Sequence, residues 1–112
     1  MKVYISGRIS GRNIEESKAH FRNAERDLKN WQYHPVNPFD NGLSDKESWE
    51  THMLKDIEIL FICDAIYMLS GWEHSKGAKI EKYIAETMGK QIWYEPAFIR
   101  CNAYPVTEEQ FN

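Results

Sequence analysis

Apolar side chains recur along this chain with two different periods, and the alternation of those periods lays out its elements. Residues 2–6 (Lys-Val-Tyr-Ile-Ser) are rich in β-formers and stop at Gly7, which predicts a first strand. After the loop Gly7-Arg8-Ile9-Ser10-Gly11-Arg12, Asn13 stands at a cap position with Glu16 three residues on, close to a capping box. Phe21, Ala24, Leu28 and Trp31 then recur at helical spacing and predict a helix over roughly 14–31. Tyr33 to Pro38 reads as a short second strand closed by prolines, followed by a loop over 39–44. Ser44-Asp45-Lys46-Glu47 has the form of a capping box, so a second helix is expected from there to about Phe61. Its apolar stripe is Trp49, Met53, Ile57 and Leu60. Cys63 to Leu69 is a β-rich apolar run, the third strand. A loop around Gly71 and Trp72 leads to a third helix over roughly 76–88, which stops at Gly89. Its stripe is Ala78, Ile84, Ala85 and Met88. Gln91 to Tyr94 is the fourth strand, and the tail from Glu95 has two prolines and little pattern.

The order β-α-β-α-β-α-β predicts a single α/β domain, a Rossmann-like or flavodoxin-like parallel sheet with flanking helices. Residues 1–95 form the domain and 96–112 its C-terminal tail. Ligands of such sheets sit outside the carboxyl ends of the strands, which puts the loops 7–13 and 70–77 on one rim.

Composition narrows the possible partners. The chain has 112 residues, 42% apolar and 13% aromatic, enough for one globular core. Its net charge of −3 argues against holding a nucleic acid polymer, which wants a basic face. No apolar run approaches the ~20 residues of a membrane span, and the start Met1-Lys2-Val3-Tyr4-Ile5-Ser6 lacks a leader pattern. A cytoplasmic protein is expected. Cys63 and Cys101 lie far apart, with Cys63 reading as a buried thiol and a disulfide unexpected. His20, His34, His52 and His74 show no ligand spacing, so no metal is predicted.

Two residues break the apolar stripes. Asp56 lies three after Met53 and four before Leu60, on the inward face of the second helix. Glu81 lies three after Ala78 and three before Ile84, on the inward face of the third. A carboxylate facing a core is costly unless it is paired, hydrogen-bonded or lines a cleft. Either each meets a Lys or Arg at the stripe's edge, or the two share a pocket and carry nucleophilic and acid–base chemistry.

Other features suit a small anion or a ring. In the loop at 7–12, backbone N–H groups before a helix could cradle an anion, with Gly7, Ile9 and Ser10 lining it and Arg8 or Arg12 adding charge. Ser75 and Gly77 open the third helix and suit phosphate or ribose, with Ser75 or His74 as the cap. Trp72, in a loop, is a candidate for stacking on a base, whereas Trp49 and Trp93 read as core. Asp64 reads as a cap on the turn before the third strand.

Together these pieces resemble the nucleoside 2-deoxyribosyltransferase family, which includes the 2′-deoxynucleoside 5′-phosphate N-hydrolases. The likeness spans about residues 2–95. It rests on Lys2-Val-Tyr-Ile-Ser-Gly-Arg-Ile-Ser-Gly11, on Asp56 eight residues before Asp64, and on Ser75-Lys-Gly-Ala-Lys-Ile-Glu81. Gly71-Trp-Glu-His-Ser-Lys-Gly-Ala78 looks like a pattern shared by short bacterial and phage proteins similar to these enzymes. The resemblance implies that Glu81 is the nucleophile towards a 2-deoxyribosyl group and Asp56 the acid that helps the base leave. It implies that Tyr4 orients the glutamate, that no cofactor is needed, and that the protein is a homodimer or larger assembly. Transferases of the family typically have Asp where Ser75 stands, and the phosphate-preferring hydrolases have Ser. Ser75 with Arg8 and Arg12 therefore leans towards a 5′-monophosphate over a nucleoside. The rival readings are a non-catalytic nucleotide-binding module of the same fold and a ribonucleotide phosphoribohydrolase, whose glycine-rich phosphate motif is not visible here.

Overall fold

The computed structural model describes residues 1–96 and the backbone of Val106–Thr107. The elements run β1 (Lys2–Ser6), α1 (Ile14–Asn30), β2 (His34–Val36), α2 (Trp49–Phe61), β3 (Ala65–Met68), α3 (Lys76–Thr87), β4 (Gln91–Tyr94) and β5 (Val106–Thr107). Short 3₁₀ turns at Pro38–Asp40 and Trp72–His74 interrupt the loops after β2 and β3. The sheet order is β2-β1-β3-β4-β5. β1 to β4 are parallel, and β5 runs antiparallel to β4. The tail thus contains a strand that its sequence did not announce.

Local chemistry explains the boundaries. Asn13 caps α1, accepting from the N–H groups of Glu15 and Glu16. The start of α2 corrects the sequence reading: its cap is Ser48, which accepts from Thr51 N–H, four residues after the expected Ser44. Ser44 instead closes a turn, its hydroxyl accepting from Lys46 N–H and its carbonyl from Glu47 N–H. Asp64 also has a different task from capping: its carboxylate accepts from the backbone N–H of Lys2 at 2.8 Å, fastening β1 beside β3.

Right-handed crossovers place α1 on one face of the sheet and α2 and α3 on the other. Val3 and Ile5 point to the α1 face, joining Phe21, Ala24, Leu28, Tyr67 and Trp93 in one core. The alternate positions Tyr4, Ile66, Met68, Ile92 and Tyr94 pack against Leu60 of α2 and Ala78 and Ala85 of α3. The strand order reverses between β1 and β3, so a crevice opens at their carboxyl ends. Two glycines permit the close approaches around it. A Cβ on Gly7 would come within 3.0 Å of Leu69, and one on Gly77 within 3.1 Å of the Met53 sulfur. Gly77 therefore lets the start of α3 lie against α2.

Candidate active site

Burial and hydrogen bonding set two carboxylates into one cleft. Glu81, 5% exposed, looks from α3 onto the end of β1. Tyr4 and Ser6, two apart on a strand and so on the same face, each donate to it. The Tyr4 hydroxyl lies 2.8 Å from Oε2 and the Ser6 hydroxyl 2.7 Å from Oε1. Asp56, buried on α2, accepts at Oδ1 from the Asn41 amide at 2.9 Å. Among the described residues, neither carboxylate forms an ion pair with a lysine or arginine at the edge of its stripe. Hydroxyls and an amide hold them instead.

Electrostatics follow from this burial. Loss of solvent pushes the Glu81 carboxyl up to about 7, the nearby Asp56 adding to the effect and the Ser6 and Tyr4 hydrogen bonds opposing it. Burial also raises Asp56, against the Asn41 bond and His52. Tyr4 is held well above the usual phenol range by burial and then by the charge of Glu81 and Asp56, so it remains a proton donor. Two carboxyls in one cleft, both raised by burial but held by different partners, suit the separate tasks of nucleophile and general acid.

Both open into a cavity of about 790 Å³, a size that takes a small molecule with an aromatic ring. Its wall also includes Gly7, Ile9 and Ser10 from the loop after β1, and Ser75 and Gly77 from the start of α3. Ser75 caps α3, accepting from Ala78 N–H. Among the described residues, Lys76 is the single lysine or arginine of the wall, which also carries Asp45 and Glu47.

Three residues expected here lie elsewhere. Arg8 folds back on its own loop, its guanidinium donating to the carbonyls of Ser10 and Gly11. Arg12 pairs with His20 at 3.2 Å, and His20 reaches Glu95 at 2.8 Å. Glu95 also accepts from Ser70 N–H, so this chain ties the two loops of the rim together. Trp72 packs against Tyr94, with ring centres 6.0 Å apart, and Lys82 lies over it. Trp49 is the tryptophan of the cavity wall, contrary to its reading as core. It is 39% exposed, with the Lys76 ammonium 5.0 Å from its ring centre. Trp93 is core, as is Cys63, whose free thiol is buried; Cys101 lies outside the described residues.

Ser6, Asn41 and His52 are the site residues that the sequence pattern passed over. Ser6 was within reach, because a strand that aims Tyr4 at a site aims the second residue on at it too. Asn41 and His52 carried no such signal.

This topology, with a crevice at the strand-order reversal, is the nucleoside 2-deoxyribosyltransferase fold. Three solved structures share it: a 2-deoxyribosyltransferase of Bacillus psychrosaccharolyticus is 18% identical, with TM-score 0.66, covering 89% of this chain and 77% of that one. One from Leishmania mexicana is 23% identical, with TM-score 0.65 and coverages of 88% and 66%. A CMP N-glycosidase of Clostridium botulinum is 20% identical, with TM-score 0.60 and coverages of 84% and 70%. By sequence the chain belongs to the family described as Domain of unknown function (DUF4406), whose profile matches residues 1–94. No curated protein matches it in sequence. Among the described residues, no helix is long and apolar enough to cross a membrane.

Proposed function

We propose that this protein cleaves or transfers the N-glycosidic bond of a 2′-deoxynucleoside or its 5′-monophosphate, with Glu81 as nucleophile and Asp56 as general acid. The observation that carries this reading is the buried Glu81, both of whose oxygens are held by hydroxyls, beside Asp56 in one cleft. The names of the structural neighbours support the same chemistry. Glu81 attacks the anomeric carbon as the bond to the base nitrogen breaks. The electron pair leaves with the base, which takes a proton from Asp56. Water or a second base then attacks the sugar–Glu81 ester and returns its proton to Asp56. Tyr4 and Ser6 hold Glu81 in line throughout.

The charge of the wall bears on the substrate. Arg8 and Arg12 turn away, and among the described residues the wall sets four acidic side chains, two of them the site's own Glu81 and Asp56, against one lysine. That balance favours the uncharged nucleoside. A 5′-monophosphate would depend on Lys76 and the N–H groups at the start of α3. A homodimer in the cytoplasm belongs to the same reading, supported by Leu54, Phe61 and Tyr83, large apolar side chains exposed on α2 and α3.

The test is base release, followed by chromatography, from deoxynucleosides and their 5′-monophosphates, with and without a second free base. Release without acceptor indicates a hydrolase. New nucleoside only with acceptor indicates a transferase. Thermal stabilisation without release, or undiminished release by Glu81→Ala, overturns the reading, the former in favour of a binding module.

A further inference from the structure

We infer that Asn41 and His52 form a relay that positions Asp56 to deliver its proton from Oδ2; this rests on the function proposed above. Asn41 is 7% exposed and follows the 3₁₀ turn Pro38–Asp40. Both polar atoms of its side chain are engaged. Oδ1 accepts from Leu43 N–H at 2.9 Å, and Nδ2 donates to Asp56 Oδ1 at 2.9 Å. Nδ2 also lies 3.1 Å from His52 Nδ1.

The hydrogen bonds assign the protons. His52 Nε2 lies 3.0 Å from the Ser44 carbonyl, which can only accept. Nε2 therefore carries the hydrogen, and Nδ1 is the bare nitrogen that accepts from Asn41. The amide orientation follows too, because turning it over would set its NH2 group against the Leu43 N–H, which can only donate. His52 and Asp56 are four apart on α2, so they lie on one face with the amide bridging them. With Oδ1 occupied by the Asn41 N–H, the proton of neutral Asp56 resides on Oδ2. Ser44 anchors the far end from the turn before α2. The relay thus joins the loop after β2 to the acid, and neither residue needs to touch the reacting atoms.

Kinetics on two substrates separate this positioning role from a merely structural one. A purine 2′-deoxynucleoside loses its base only with a proton, whereas 7-methyl-2′-deoxyguanosine, already cationic, releases a neutral base without one. Asn41→Ala and His52→Leu are expected to lower kcat about 10- to 100-fold on the first, within the range of general acid catalysis. KM should change little, and so should the rate on the methylated substrate. His52→Asn, whose amide oxygen can stand where Nδ1 stands, should restore most of the lost kcat. Equal losses on both substrates, a loss carried by KM, or full kcat in His52→Leu overturns the relay while wild-type base release still upholds the function. No release by wild type from either substrate removes the function and the relay with it. Independently of turnover, the nitrogen resonances of His52 should show hydrogen on Nε2. Hydrogen on Nδ1 refutes the assignment.

Discussion

The two faces of the sheet are made from alternate residues of the same strands, yet they bury different chemistry. Against α1 lie Val3, Ile5, Phe21, Leu28 and Trp93, an apolar core with Phe21 and Phe39 edge to face. The buried carboxyl of that side, Asp27, sits on α1 near Arg26, and burial raises its pKa. Against α2 and α3 the apolar packing gives way at the carboxyl end of the strands. Tyr4 and Ser6 of β1 there meet Glu81, and Asn41 meets Asp56. One face spends its burial on cohesion. The other gives up part of that cohesion to hold acids in a cleft, the usual trade between stability and a functional site.

Substitutions on the two faces should therefore separate activity from stability. The largest effect is expected for Glu81→Gln, with base release falling by at least about 10³-fold because the nucleophile is gone. Circular dichroism should show the fold intact. Leu28→Ala on the opposite face should do the reverse. It empties a fully buried site and should cost about 2–5 kcal/mol in denaturant unfolding, while turnover per folded molecule stays at the wild-type level.

The third contrast is in the pH dependence of stability. Burial makes the folded chain hold the Glu81 proton more tightly than the unfolded one, moving its pKa from the ordinary 4.5 to about 7. The resulting preference for the folded state is fully present below the unfolded value and is lost as pH rises through the folded one. At about pH 8 the charged Glu81 should cost up to about 3 kcal/mol. Glu81→Gln should then melt higher than wild type at about pH 8, with the gap closing towards pH 4. A gap that stays constant with pH would break the contrast between the faces. The smallest effect belongs to Ser6→Ala. Glu81 must be charged to attack, so kcat/KM should fall below about pH 7. Removing a hydrogen bond to the charged form should move that limb upward by up to about one pH unit, read from the pH profile.

Much of this contrast was legible in the chain. Asp56 and Glu81 stood out because each interrupts an apolar helical stripe, and a stripe marks an inward face whatever surrounds it. The strand expected over residues 2–6 also implies that Val3 and Ile5 share one face and Tyr4 and Ser6 the other, although the β-rich run by itself marked only the strand. Loop residues were different. Arg8, Arg12 and Trp72 have the composition of a binding loop, yet their side chains bond to carbonyls, His20 and Tyr94. Long side chains choose among partners that come from other elements, and no local pattern records that choice. The same holds for Trp49, placed at the cavity wall because α2 starts at Ser48, where its cap forms.

Sequence by itself therefore determined the order of elements from β1 to β4, the parallel sheet with helices on its faces, and the inward direction of two carboxylates, since each depends on periodicity within one segment. Tertiary structure alone decided that those carboxylates share a cleft, that hydroxyls from β1 and an amide from the loop after β2 hold them, and that the arginines turn away. These are contacts between residues up to 77 positions apart, set by where the strand order reverses and by how closely α2 and α3 approach across Gly77.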